Sequence, residues 1–351
     1  MVENKINVKF IANNSYVEHN VPENVSQIVS GREFVAWGND NQYPTFLNEL
    51  YNNSPTLHSV INGITDFICG NEIKTENKKD ITDVVNNVVR DYLIYGVAYI
   101  NVLRNVFNQV VEIKHLDTRD VRTNENCDVF FYSKDFTKSK WGRIKTIAIP
   151  KYDENNDAKS SVLMIKNTNR DIYDAPLYTA SINSILTEIK IQSFHLNEIS
   201  NNFNASGIIN FNNNTPTTEE VEEFERLINE KFCGEGNVGR FILSFNKDKE
   251  NATTFERIVT DDFADRYNTL EKSIRQNIFT SFRANPNLFG IPTESLGFSN
   301  EEYEESFRLF NRTTIRPIQQ KIVREFAKVG YNLTIVPFSI DENNNKEENV
   351  N

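Results

Sequence analysis

Residues 261–316 read DDFADRYNTLEKSIRQNIFTSFRANPNLFGIPTESLGFSNEEYEESFRLFNRTTIR. In the first half Phe263, Tyr267, Leu270, Ile274, Ile278 and Phe282 recur at steps of three or four, the apolar stripe of an amphipathic helix, and Asp261 and Asp262 suit its start. Over residues 263–283 such a helix runs about 30 Å at roughly 1.5 Å per residue. It ends at Asn285-Pro286, because a residue before proline is pushed out of the helical region. A loop with Gly290, Pro292 and Gly297 follows, and it carries exposed-looking apolar residues: Leu288, Phe289, Ile291, Leu296 and Phe298. A second helix then starts with Ser299 as N-cap and Glu302 completing a capping box, its stripe continued by Tyr303, Phe307 and Phe310. In a monomer the rest of the fold covers that loop; in a ring it projects into a central channel. The pattern leaves both readings open.

Upstream, Asp174-Ala175-Pro176 opens another long helix, with proline at its favoured first position. Leu177, Ile182, Ile185, Ile189, Leu196, Ile199 and Phe203 form its core-facing side. Thr179, Asn183, Thr187, Lys190, Asn197 and Asn201 make the opposite face polar and almost uncharged. Between the two long helices the pattern is a small β-α-β-β unit: a strand at 207–211, an acidic helix at 217–232, and strands at 241–245 and 255–259. Downstream, Pro317 marks a kink or break, residues 318–329 are helical again, and YNLTIVPFSI is a final strand. The tail DENNNKEENVN has almost nothing apolar to bury and is expected to be disordered.

The first 170 residues or so read as α+β. Ile6, Val8 and Phe10 suggest a strand before an irregular arm. Trp37-Gly38-Asn39-Asp40-Asn41-Gln42-Tyr43-Pro44 is turn chemistry. Helices follow, with Leu47, Leu50 and Tyr51 on one side, a break at Ser54-Pro55, then Leu57, Val60, Ile61, Ile64 and Ile68 up to Gly70. Residues 81–94 form a further helix and Gly96 turns the chain into the strand VAYINVLRN. Short β runs follow at 110–115, 129–132, 144–150 and 162–165.

A net charge of -11 argues against holding nucleic acid by wrapping phosphates, which needs clustered Lys and Arg, yet it permits contact with DNA that must slide. Cys69, Cys127 and Cys233 are odd in number and far apart, which speaks against a disulfide framework and for a reducing compartment. Residues 1–9 are polar and mixed in charge, and no apolar run approaches the ~20 residues of a membrane span, so the expected site of synthesis and use is a cytoplasm with no membrane contact.

The order of these elements resembles the portal proteins of tailed bacteriophages across nearly the whole chain. The pieces that carry the resemblance are the F-x-x-W-G-x-D-N-x-Y-P opening at Phe34 to Pro44, DAPLYTASINSI leading to NNFNASGIINF, and FRANPNLFGIP before the third helix. The resemblance implies an α+β portal-type fold. Residues 1–175 would be an α+β wing, 176–203 and 261–284 two long stem helices, and 204–260 a small α/β clip insert between them. Residues 285–299 would be a tunnel loop, 300–340 a helix returning to the wing with the final strand, and 341–351 a disordered tail. Larger members carry a long helical C-terminal crown, and no such crown is expected after residue 340 of this sequence.

The implied function is a homo-oligomeric ring, a dodecamer, at one capsid vertex of the virion, through which double-stranded DNA is packaged and ejected. The ring is assembled in the host bacterial cytoplasm. Its implied partners are the large terminase, head-tail adaptor and neck proteins, the major capsid or scaffold protein, and DNA in sequence-independent sliding contact. The alternative is another ring-forming virion or neck adaptor protein without terminase docking.

By position, Asn287, Leu288, Phe289, Gly290, Ile291, Pro292, Leu296 and Phe298 would face the channel. Glu219, Glu220, Glu222, Glu223 and Glu225 on the clip helix would dock terminase or neck proteins; the bland reading is a solvated helix face with carboxylates near its N-terminus. Arg308, Arg312 and Arg316 recur every four residues and form either a DNA-facing stripe or a set of ion pairs, with Glu304 one turn before Arg308 and a neighbouring subunit as sources of carboxylate. His19, His58, His115 and His195 show no metal-ligand spacing and read as structural. No P-loop, nucleophile elbow or zinc-protease motif is present, and the carboxylate pairs Asp261-Asp262 and Glu301-Glu302 stand at helix starts where capping explains them. The expectation is no catalytic residue, no metal and no cofactor.

Overall fold

Two prolines set the first helices. Pro44 and Pro55 each stand in the first turn of a helix, where the missing N–H costs nothing, so α1 (Tyr43–Asn53) stops at Ser54 and α2 (Pro55–Cys69) starts at once. The Ser54 hydroxyl accepts the Leu57 N–H at 3.1 Å and caps α2. Leu57, Val60, Ile61, Ile64 and Ile68 are all covered, as the stripe predicts. After α3 (Thr82–Tyr95), Gly96 closes the helix in the left-handed region and the chain enters the central sheet.

The computed structural model describes residues 26–28, 33–76, 79–137, 145–155, 157–168, 171–200, 208–211, 242–245, 263–291 and 300–338. They fall in two compact units, one of Met1–His19 with Thr187–Glu271 and one of Asn20–Leu186 with Lys272–Asn351.

In the larger unit β4 (Val97–Arg104) is the middle strand of an antiparallel sheet, with β5 (Val110–Leu116) on one side and β9 (Ser160–Lys166) on the other. The run from Val97 to Ile100 is buried without alternation, because α3 packs on the sheet and a second sheet comes up beside it. That second sheet holds β6 (Val121–Thr123), β7 (Val129–Tyr132) and β8 (Ile147–Pro150), all antiparallel. Tyr99 of β4 meets Phe130 of β7 edge to face at 5.7 Å, so the two sheets share a core. β1 (Ser26–Gln27) pairs with its near neighbour β2 (Ala36–Trp37), whereas the ladder of β3 (Glu72–Thr75) with β12 (Leu333–Val336) joins distant sequence. Sequence reading missed β1, β2, β3 and β6, each of four residues or fewer, because a pair that short is stabilised by its partner strand rather than by its own pattern.

The helix expected to open at Pro176 begins at α4 (Ile182–Ser200), after a single 3₁₀ turn at Thr179–Ser181. The reason lies in how the preceding residues are held. The buried Asp174 carboxylate accepts both the N–H and the hydroxyl of Thr168 instead of capping a helix. Tyr178 is buried and donates its hydroxyl to the Ile94 carbonyl at 2.7 Å, and the Ala175 carbonyl lies so close to Gly96 that a Cβ there would stand 2.7 Å from it. The segment is thereby pinned in a turn, and Leu177 is exposed rather than core-facing. Once past it, Ser181 donates to the Asn277 carbonyl and Asn277 to the Ser184 hydroxyl, tying the start of α4 to α5 (Phe263–Ser281).

In the smaller unit the rings of Phe194 and Tyr267 stack at 6.1 Å and 7°, and His195 meets Tyr267 edge on. Leu196 is 65% and Leu270 43% exposed, which corrects their reading as core stripe. Leu196 stands two residues past Phe194, about 200° round the helix and off the seam. The strands β10 (Ile208–Phe211) and β11 (Ile242–Phe245) pair in parallel, and parallel neighbours need a long crossover connection between them. The acidic helix expected at 217–232, the strand expected at 255–259, the N-terminal strand and the tail lie outside the described residues.

Candidate channel loop and ring surfaces

The end of α5 is built by side-chain-free chemistry. Arg283 takes φ 55, the Ala284 N–H returns to the Phe279 carbonyl and the Arg283 N–H to the Thr280 carbonyl, a Schellman closure with a non-glycine residue at its left-handed position. Asn285 then accepts the Asn287 N–H and starts a 3₁₀ turn, Pro286–Phe289, which Gly290 ends. This is the root of the loop singled out in the sequence.

That root is anchored in the larger unit. Leu288 is buried, and the Phe289 ring sits among Phe67 at 5.8 Å, Phe279 at 5.3 Å and Phe310 at 6.3 Å. Phe307 and Phe338 close the same cluster around Phe67, at 5.5 and 5.0 Å. The socket exists because residue 63, on α2, is glycine: a Cβ there would stand 2.6 Å from the Phe289 ring. Leu288 and Phe289 therefore look exposed in the sequence, but Leu288 is buried and the half-buried Phe289 packs into the subunit's own phenylalanine cluster. Asn287 and Ile291 are half-buried and Gly290 is exposed, while Pro292, Leu296 and Phe298 lie outside the described residues.

A prediction follows from the socket. Gly63→Ala is expected to cost about 1–2 kcal/mol by overpacking, although alanine is the better helix former. In a Phe289→Ala background the same change is expected to stabilise by about 0.5–1 kcal/mol, since only the helix preference remains. Denaturant unfolding of the four chains checks this. A Gly63→Ala effect of the same sign and size in both backgrounds would show that the two residues do not meet.

Beyond the loop, α6 (Asn300–Phe310) does not break at Pro317. It runs through a π turn, Asn311–Ile315, into α7 (Arg316–Lys328). The Arg316 N–H reaches back five residues to the Asn311 carbonyl, and the wider turn brings Pro317 into the first turn of α7 without a clash. Gln319 then donates to the Ile68 carbonyl at 2.8 Å, satisfying one of the orphan carbonyls at the end of α2. Arg308, Arg312 and Arg316 are all exposed along this kinked rod. The Glu304 to Arg308 pair expected from spacing does not form, and none of the three arginines has an ion-pair partner among the described residues.

The Trp37 to Pro44 turn proves to be a buried lock. Trp37 stacks on Tyr173 at 4.2 Å and 4°. Asn41, at φ 63, accepts the Trp37 N–H and the Arg122 Nε–H on its side-chain oxygen. Arg122 itself is fully buried and donates to the carbonyls of Asn41, Arg119 and Val121, with the Phe136 ring 4.7 Å from its Cζ. Burial pushes its pKa below the ordinary arginine value. Nothing in the sequence pointed to Arg122, since an arginine in a β run reads as a solvent-facing residue. Gly63 did leave a signal, an isolated glycine inside a helical stripe, where it costs about 1 kcal/mol against alanine unless something packs against it.

A helix pair flanking a parallel two-stranded insertion, followed by an anchored loop and a kinked helix returning to the β3–β12 ladder, can now be set beside known proteins. The family described as phage portal protein matches residues 76–342. The chain belongs to that family. Two of the three segments that carried the resemblance fall inside the matched range, and the Trp37 turn precedes it. Among solved structures, the portal chain is similar to one in the neck of a native gene transfer agent particle computed with C12 symmetry, at a TM-score of 0.55 and 15% identity, covering 89% of this chain and 88% of that one. It is similar also to one in the virion of a native gene transfer agent particle, at 0.54 and 14%, covering 86% and 85%. At such identities the likeness speaks for the fold. No curated protein matches the chain.

Proposed function

We propose that this portal-family chain is the subunit of a homo-oligomeric ring, a dodecamer, at one capsid vertex of a virion, through which double-stranded DNA is packaged and ejected. The observation that carries the reading is the family match over residues 76–342, which takes in α4, α5, the insertion between them and the loop root. In this reading α4 and α5 are the stem, and residues 204–260 are the clip that docks the large terminase and then the neck proteins, with Glu219, Glu220, Glu222, Glu223 and Glu225 as its acidic face. Residues 1–175 form the wing towards the capsid or scaffold protein. A chain of net charge -11 suits a wall past which phosphates slide without being gripped. The ring is assembled in the bacterial cytoplasm, and its work is positional rather than catalytic.

The loop at 285–299 divides in this proposal. Leu288 and Phe289 hold its root in the phenylalanine cluster, and Leu296 and Phe298 meet the duplex through soft, non-directional contacts. Leu296→Ser with Phe298→Ser is expected to leave subunit unfolding within about 0.5 kcal/mol of wild type, while DNA packaging or retention falls in an in vitro packaging assay. Unchanged packaging would remove the loop from the mechanism.

The ring itself is tested by negative-stain electron microscopy of the purified full chain, with its mass from light scattering. Rings with a central hole are the expected result, and a monomer across concentration and salt would overturn the proposal. Rings that bind neck proteins but show no affinity for terminase would point instead to an adaptor.

A further inference from the structure

Two surface patches of the larger unit remain without a role. The first is the tip of the β4–β5 hairpin, where Val106 and Phe107 are 81% and 79% exposed, the two largest apolar exposures among the described residues. The tip is nonetheless held in shape. The Asn105 side-chain oxygen accepts the N–H groups of Phe107 and Gln109 at 2.9 and 3.0 Å, its amide donates to the Gln109 side chain, and Asn108 sits at φ 61 with its amide on Asp157. Such a tip presents its apolar side chains without an ordering cost on contact. Next to it stand the exposed Asp153, Glu154 and Asp157, fastened by Arg104, which donates to the Asp153 carbonyl at 2.8 Å and lies over the Tyr152 ring. Lys151 and Lys159 flank the acidic stretch at its two ends, and the stretch itself carries no base.

The second patch has the complementary character. Leu309 is 65% exposed on the kinked rod and is surrounded by the exposed Arg308, Arg312 and Arg316, with no acidic residue from 308 to 316. The two patches cannot meet within one subunit. Tyr152, beside the acidic loop, donates to the Lys328 carbonyl at the far end of α7, and from there back to Arg316 the helix runs about 18 Å, with Leu309 further still.

We infer that the two patches meet between subunits: the hairpin tip with Asp153 and Glu154 of one copy docks on Leu309 and the arginine stripe of the next. A ring built head to tail needs two different surfaces that fit each other, one on each flank, and an apolar knob edged with carboxylates against an apolar spot edged with guanidinium groups meets that need. The inference rests on the ring reading above. It gives the arginine stripe a protein partner and takes it away from DNA.

The test uses the full chain. In a Phe107→Cys, Leu309→Cys double variant, oxidation is expected to give a covalent ladder rising to the whole ring on a non-reducing gel, while either single variant stops at dimers. Asp153→Lys with Glu154→Lys, and Arg308→Glu with Arg312→Glu, are each expected to lower the fraction of chain in rings about tenfold at fixed concentration, and to restore most of it when combined. All these positions are exposed, so unfolding temperatures should stay at the wild-type value. Wild-type rings with no ladder and no loss on charge reversal would overturn the contact and leave the ring intact. A monomeric wild type would overturn both. Arginine reversals that spare assembly but reduce packaging would return the stripe to DNA.

Discussion

Arg122→Ala is expected to lower the stability of the larger unit by about 3–5 kcal/mol, the scale of truncating a large, fully buried side chain together with the loss of its hydrogen bonds. Among the described residues the guanidinium has no carboxylate partner in its cage. It is held by the backbone oxygens of Asn41, Arg119 and Val121 and by the Asn41 side chain at 2.6 Å. Alanine would take the guanidinium donors from the Asn41, Arg119 and Val121 carbonyls, leaving the Asn41 side-chain oxygen only the Trp37 N–H, and it would leave a void between the Trp37 and Phe136 rings. Asn41 is also held in a left-handed conformation that its bonds to Trp37, Arg122 and the Gly38 carbonyl support, so the turn is expected to loosen when Arg122 is lost. Arg122→Lys keeps the charge but lacks the planar fork, and it should recover less than half of the loss. Urea unfolding followed by tryptophan fluorescence is the measurement, because Trp37 reports on the site itself. An Arg122→Ala chain within 1 kcal/mol of wild type would mean that the cage is not what holds the turn.

Gly70→Ala is expected to be the most damaging single methyl group in the described chain. Gly70 adopts φ 65 and ψ -163, a region open essentially to glycine, and a Cβ there would stand 2.0 Å from the Val336 carbonyl oxygen. That carbonyl also accepts the Asn71 N–H, at the point where β3 pairs with β12. The clash cannot be relieved by rotating a side chain, since both sides are backbone. A loss of about 3 kcal/mol or more follows from strain and the displaced strand together. Gly290→Ala supplies the contrast. Its φ is 73 and no atom lies within 4 Å of the added Cβ, so only the left-handed penalty of about 1 kcal/mol applies. Equal thermal shifts for the two variants would show that the approach of Val336 is not what makes Gly70 necessary.

The same residues show how far the sequence could be read. The limits of α1, α2 and α3 were legible to within a residue or two because Ser54-Pro55, Gly70 and Gly96 act on their own backbone neighbours. The strands of the central sheet were legible for a similar reason, since runs of Val, Ile and aromatic residues pack on any pleated surface. β3 was not legible, because its partner β12 is some 260 residues away in sequence. The start of α4 was misplaced because Asp174 is engaged by Thr168 and Tyr178 by Ile94, contacts that no local rule contains. Pro317 was taken for a kink or break, and the chain does not break there but runs on through a π turn just before it.

By itself the sequence determined the order of the helices and of the longer strands, an insertion between two long helices and the resemblance to the portal family. Those follow from short-range periodicity, from turn residues and from the succession of elements. The tertiary structure alone decided which apolar residues are core. It buried Leu288 and packed Phe289 partway in, because Gly63 leaves room for a ring, and it left Leu196, Leu270, Val106 and Phe107 out. Burial is set by what returns from elsewhere in the chain to cover a side chain, and a repeat of three or four records only that the side chain is apolar.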